Sequence, residues 1–131
     1  MTAPPVSAGP TAIGQIAINA HDVPRAVAFY RDTLRLPFLF QAGSLAFFQC
    51  GEVRLMISPP EQPEYDHPAS IIYYRVPDIS AAHRELVGRG VRFDSDPHVV
   101  HRTSEYELWI GFFRDSEGNP LGLMAERKPG G

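Results

Sequence analysis

Apolar residues along this chain follow two alternating periods. In 14–20 (GQIAINA), Ile16 and Ile18 fall on one face and Gln15, Ala17 and Asn19 on the other, the period-two pattern of a half-buried strand. From Asp22 the period lengthens. Val23, Ala26, Val27, Tyr30 and Leu34 lie at i, i+3, i+4, i+7 and i+11, one stripe along a helix that Asp22 caps. Strand-like runs return at 38–42, 45–50 and 53–58, with Gly43 and Gly51 placed for tight hairpin turns.

The plan then repeats. A shift of 56 residues lays Asp22 on Asp78 and IAINAHDVPRAVAFY over IYYRVPDISAAHREL. A strand at 70–76 leads into a helix striped by Ile79, Ala82, Leu86 and Val87, which Gly88 and Gly90 end. Strand-like runs follow at 91–95, 107–113 and 121–126. Between the last two, DSEGNP (115–120) is dense in turn formers and predicts a hairpin loop. Gly118 and Asn119 tolerate positive φ there, and Pro120 opens the outgoing strand.

Each half therefore reads β-α-β-β-β. Module one covers about 12–58 and module two about 70–127, both within one domain of 1–131. The proline-rich stretch 59–69 reads as the linker, with Glu64, Asp66 and His67 solvated. The expected fold class is α+β: each helix covers one face of its sheet, and the two modules form a curved sheet with helices outside and a central cup. Such a cup is a place for a small ligand. Exposed strand edges lead us to expect a homodimer.

Composition narrows the partners. A net charge of −3 and the lack of a Lys/Arg block argue against nucleic acid. No apolar run approaches the roughly 18 residues of a membrane span. The opening MTAPPVSAGPTA has neither the basic nor the apolar region of a signal peptide and, like 128–131, reads as a floppy tail. Cys50 is the one cysteine, so no internal disulfide forms and a cytoplasmic location is expected. Set in LAFFQC, it reads as a small buried hydrophobe rather than a nucleophile.

Strand alternation assigns the lining of the cup. Gln15 and Asn19, Arg54 and Met56, Tyr73 and Arg75, and Met124 face inward on their strands. On 107–113 the set holding Glu107 and Trp109, with Gly111 and Phe113, is expected to look inward, because it carries the polar residue. This aromatic and sulfur-rich lining suits an organic ligand with a flat or apolar body and a carboxylate or phenolate for an arginine. A structural reading stands beside it. Arg54 or Arg75 could pair with Glu107 across strands, and Tyr73 and Trp109 could be core or dimer-interface aromatics. His98 and His101, three apart on an extended chain, should point to opposite faces and not chelate together. His101 or His67 could reach the mouth as a general base, or be surface-loop residues; His21 and His83 read as structural or solvated.

The repeat, FYRDTLRL (29–36) and FFRDSEGNPLGL (112–123) resemble the vicinal oxygen chelate superfamily, which includes glyoxalase I, extradiol dioxygenases, fosfomycin-resistance enzymes and bleomycin-resistance proteins. The resemblance covers roughly 12–127. It implies a divalent ion in the cup, held from the first and last strand of each half, that grips two neighbouring substrate oxygens. Those positions fall on Gln15, Ile71, Arg54 or its neighbour, and Gly122. Only Gln15 offers a ligand, and a shift onto Ser70, Leu55, Met56 or Leu121 does no better. No catalytic metal and no cofactor are expected. The resemblance thus implies a metal-free small-molecule binder of the bleomycin-resistance kind. The alternatives are a metal-dependent lyase, isomerase or dioxygenase, a metal-independent enzyme using His101, Tyr73 or Arg75, and a scaffold with its cup filled in. No motif names a reaction, so enzyme and binder both remain open.

Overall fold

Two four-stranded mixed sheets, each backed by one helix, carry the chain in the computed structural model, which describes residues 9, 10, 12–68 and 70–130. The first half contains β1 (Gln15–Asn19), α1 (Val23–Ala28), β2 (Phe38–Ala42), β3 (Leu45–Cys50) and β4 (Val53–Ser58). The second contains β5 (Ile72–Arg75), α2 (Ile79–Gly88), β6 (Phe93–Arg102), β7 (Glu107–Arg114) and β8 (Pro120–Arg127). The strand orders β1-β4-β3-β2 and β5-β8-β7-β6 are the same order repeated. In each, the first strand runs parallel to the last, and hairpins join the other three. The protein is α+β, with two βαβββ modules. None of the helices described is long and apolar enough to cross a membrane.

The local physics of the sequence accounts for most boundaries. Asp22 and Asp78 accept the backbone N–H of Arg25 and Ala81 and so cap the two helices. Gly43, Gly51 and Gly118 take positive φ in their turns; Asn119 does not need to. Pro120 opens β8, where a missing N–H is tolerated. The stripe of α1 is buried at Val23, Ala26, Val27 and Tyr30. Beyond Ala28 the helix widens into a π turn over Phe29–Thr33, closed by the Leu34 N–H donating to the Phe29 carbonyl.

Two expectations fail here. Val87 is exposed, because it lies to one side of the stripe through Ile79, Ala82 and Leu86. The strand expected at 91–95 runs on to Arg102. Pro97 and three register shifts break the alternation that would have revealed it, and an edge strand accommodates both.

The halves meet through one hydrophobic cluster that takes Ile18, Tyr30, Phe48 and Leu55 from the first and Tyr74, Ile79, Phe113 and Leu121 from the second. Within it the two sequence segments of the resemblance touch. The buried hydroxyl of Tyr30 donates to Asp115 Oδ2 at 2.7 Å. Asp115 is itself buried and also accepts the N–H of Glu117 and of Asn119 and the Asn119 side-chain amide, so it organises the hairpin loop as well. Glu117, on the same loop, reaches back to the start of α1 and accepts from the His21 N–H at 2.6 Å, the Asp22 N–H and the Arg25 guanidinium.

The linker is tied down rather than merely solvated. A 3-10 turn spans Pro63–Tyr65, and the Asn19 side-chain amide donates to the carbonyls of Tyr65 and His67. Asp66 bonds His21 Nε2 at 2.6 Å.

Replacing Tyr30 by Phe leaves Asp115 with its hairpin donors and removes only the bond between halves. Chemical denaturation should give a loss of about 1–2 kcal/mol, with hydrogen exchange quickening in both modules. For Glu117, desolvation alone would raise the carboxyl pKa. The His21 amide, the Arg25 guanidinium and the Asp22 amide outweigh it and hold the pKa below its ordinary value. A depressed carboxyl stabilises the fold above its unfolded pKa and loses that stability as pH falls through the folded one. Glu117→Gln should therefore cost about 1 kcal/mol near neutral pH. The gap to the parent should begin to shrink below about pH 4.3 and close in stronger acid, as followed by urea melts across pH.

Candidate functional site

Each sheet has a face without a helix, and the strand register says which side chains stand on it. On the first sheet Gln15 lies opposite Arg54, Ala17 opposite Met56, and Met56 opposite Phe47, while Leu55 and Ile57 are buried against the core. On the second, Tyr73 lies opposite Gly122, Arg75 opposite Met124, and Gly122 and Met124 opposite Phe112 and Ile110. Gln15, Asn19, Arg54, Met56, Tyr73, Arg75 and Met124 thus stand on helix-free faces, as alternation requires.

Glu107 and Trp109 do not. Trp109 lies opposite Ala125, and its set continues through Gly111 and Phe113 opposite Leu123 and Leu121, which are core residues. The inward assignment is corrected: Leu108, Ile110 and Phe112 take the helix-free face. The polar residue misled because Glu107 is satisfied where it is. It is buried, it accepts from Arg102 at 2.7 Å and from the Trp109 indole at 3.2 Å, and Arg127 lies over the Trp109 ring. An apolar face can carry a charge when every lone pair finds a donor. The ion pair of Arg54 or Arg75 with Glu107 does not form.

The positions to which the resemblance assigns metal ligands have particular contents. Gln15 Oε1 accepts from Arg54 Nε at 2.9 Å, and Gln15 Nε2 approaches the Met56 sulfur at 3.7 Å. The Arg54 guanidinium lies 5.4 Å from the Phe47 ring centre, and Phe47 stacks on Phe40. At Gly122 the Tyr73 ring lies so close that it leaves no room for a Cβ; the same ring meets Phe112 edge-on. Ile71 is exposed and apolar. These residues do not fit a divalent ion: the one amide oxygen is turned to a cation, and an aromatic ring fills the place of the last ligand. Among the described residues no group of three His, Cys, Asp or Glu side chains is placed to hold a metal.

The remaining candidates scatter. Asn19 is spent on the linker carbonyls. Arg75, at the end of β5, borders a cavity between the modules with Leu34 and Arg35. His67 is exposed and sits beside its own Pro68 carbonyl. His101 is exposed, with the Tyr106 ring edge-on. A register shift between Val99 and His101 pairs His98 with Ile110 and His101 with Leu108, so both histidines follow one face instead of opposite ones. His83 packs edge-on against Phe93, 3.3 Å from Asp96. Cys50 is half-buried rather than buried, and desolvation raises its thiol pKa, which suits a neutral thiol.

Sequence reasoning missed one polar cluster. His21, Asp66, Glu117 and Asn119 border a cavity of about 360 Å³ with Asn19 and His67. The hydrogen bond and charge of Asp66 raise the His21 pKa. The only sequence signal was an unremarkable histidine beside a helix cap, and its acid lies 45 residues away in the linker.

The comparisons agree with this architecture. Solved structures with the same fold include a glyoxalase/bleomycin resistance protein/dioxygenase from Nocardioides, 18% identical, with a TM-score of 0.73 over 96% of this chain and 89% of that one. Lactoylglutathione lyase from Agrobacterium tumefaciens is 21% identical, with a TM-score of 0.69 over 89% of this chain and 95% of that one. A superfamily member from Sphaerobacter thermophilus is 19% identical, with a TM-score of 0.73 over 88% and 97%. At such identities the likeness is one of fold. No curated protein matches in sequence. The family model for the Glyoxalase/Bleomycin resistance protein/Dioxygenase superfamily matches residues 12–123, and the chain belongs to that superfamily.

Proposed function

We propose that this protein binds a small organic molecule against the helix-free faces of its sheets and does so without the metal of its enzymatic relatives. The observation that carries the reading is the filling of the metal positions: Arg54 holds Gln15, and the Tyr73 ring lies over Gly122. A guanidinium where a cation would sit opposes that cation and favours an anion.

The surrounding chemistry fits an organic ligand. Phe40, Phe47, Met56, Tyr73, Phe112 and Met124 supply aromatic and sulfur surface, with Gln15 and Arg54 as polar anchors. A flat body with one carboxylate or phenolate, stacked on the rings with its oxygen toward Arg54, uses every one of these groups.

A second copy of the chain belongs to this reading. Phe40, Ile71 and Tyr73 are each 45% exposed on or beside the helix-free faces. Patches of that kind are usually covered by a partner, and a homodimer would bring one module of each copy to a shared cup. The lone Cys50 fits a reducing compartment such as the cytoplasm.

Protein purified without chelator should carry no stoichiometric zinc, nickel, iron or manganese by elemental analysis; a full equivalent that Gln15→Ala releases would refute the metal-free reading. Among aromatic carboxylates and phenolates tested by calorimetry, a bound compound should lose about 1.5 kcal/mol or more in Arg54→Ala. Unchanged affinity would place the ligand elsewhere.

A further inference from the structure

On the helix side of the sheets, at the seam between the modules, lies a cavity of about 300 Å³. Its apolar walls lie on the core side, and Arg75, from the helix-free face at the end of the edge strand β5, borders it as well. Leu34 and Leu36 come to it from the segment after the π turn, Leu86 from α2 and Leu123 from β8. Both halves of the chain build it, and its walls are mostly apolar.

Its charged groups are unevenly matched. Arg35, Arg75 and Arg89 border it with one carboxylate, Glu85, so the lining carries three positive charges against one negative. Glu85 lies 3.5 Å from Arg89, which also donates to the Thr33 carbonyl. The guanidiniums of Arg35 and Arg75, one from each module and both exposed, have no ion-pair or hydrogen-bond partner among the described residues. Two unpaired guanidiniums over an apolar pocket attract an anion that brings its own hydrocarbon.

Two further features lie at the cavity. Tyr74 in its wall is only 6% exposed, yet its hydroxyl has no hydrogen-bond partner. A buried unpaired donor is costly, and native proteins rarely leave one without a reason. Arg35 has φ +62°, alone among the described non-glycine residues in the left-handed region. This left-handed residue ends the π turn, where the Leu36 N–H donates to the Tyr30 carbonyl, and leaves Arg35 at the border of the cavity.

We propose that this seam is a second ligand site, one that takes an organic monoanion with an apolar body. The anionic head lies between Arg35 and Arg75, and the body lies against Leu34, Leu36, Leu86 and Leu123. Because the two arginines come from different modules, an occupant ties the halves together. Neither Gln15 nor Arg54 borders this cavity, so the proposal is tested apart from the function proposed above.

Cys50 borders the cavity and is the only thiol of the chain, which makes it a reporter. The probe is decanoate, with decyltrimethylammonium of like chain length as the control, both below their micellar concentrations. At ten times its dissociation constant, decanoate should slow alkylation of Cys50 by N-ethylmaleimide about tenfold and raise the melting temperature; the cation should do neither. Arg35→Glu with Arg75→Glu should abolish both effects. Should that pair fail to fold, Arg35→Gln with Arg75→Gln must weaken protection at least about tenfold, the scale of two lost charge-assisted contacts. Equal protection by the cation, no protection by decanoate, or protection that survives the arginine changes would overturn the proposal. So would alkylation that slows with protein concentration alone, which would assign the seam to a second copy.

Discussion

The hydrogen bond from Tyr30 to Asp115 joins what the chain keeps 85 residues apart. Tyr30 stands in the π turn after α1, and Asp115 heads the loop between β7 and β8. Both are buried, so neither can turn to water instead, and each is costly without the other. The same carboxyl holds the loop in shape, and Glu117 on that loop reaches the start of α1. One short polar loop therefore fixes the position of a helix in the other half. The FYRD and FFRD segments that carried the resemblance thus meet in the core, which is a role in the fold rather than in a reaction.

With that junction made, the helices and the apolar strand faces are committed to the core, and the other faces of both sheets are left free. The fold thereby creates its sites by exclusion. What stands on the free faces follows from two-residue alternation, and what a site can hold follows from a few side chains. Arg54 against Gln15, and the Tyr73 ring over Gly122, put a cation and an aromatic edge where an ion would require donors.

The places where alternation misled share a cause. Glu107 looked like a reason to turn its strand face into the cup, but Arg102 and the Trp109 indole satisfy it on the core side. His98 and His101 looked opposed, but a bulge adds a residue between them and restores one face. Val87 sat near enough to its helical stripe to be counted, and only packing shows it on the solvent side. In each case the missing information was a contact with a residue on another element or a local insertion in register. Neither is a periodic signal.

The order of elements, the two-fold repeat, the caps at Asp22 and Asp78, the hairpin turns and the inward or outward face of most strands were determined by the sequence itself. These depend on dihedral preferences and on the spacing of apolar residues, both of which act over a few positions. Only the tertiary structure decided that Tyr30 meets Asp115, that Asp66 meets His21, that Arg75 borders the seam with Arg35, and that the Tyr73 ring covers Gly122. Those pairings depend on how two sheets and their loops come together in space, and residues so far apart along the chain carry no local mark of the neighbour that burial will give them.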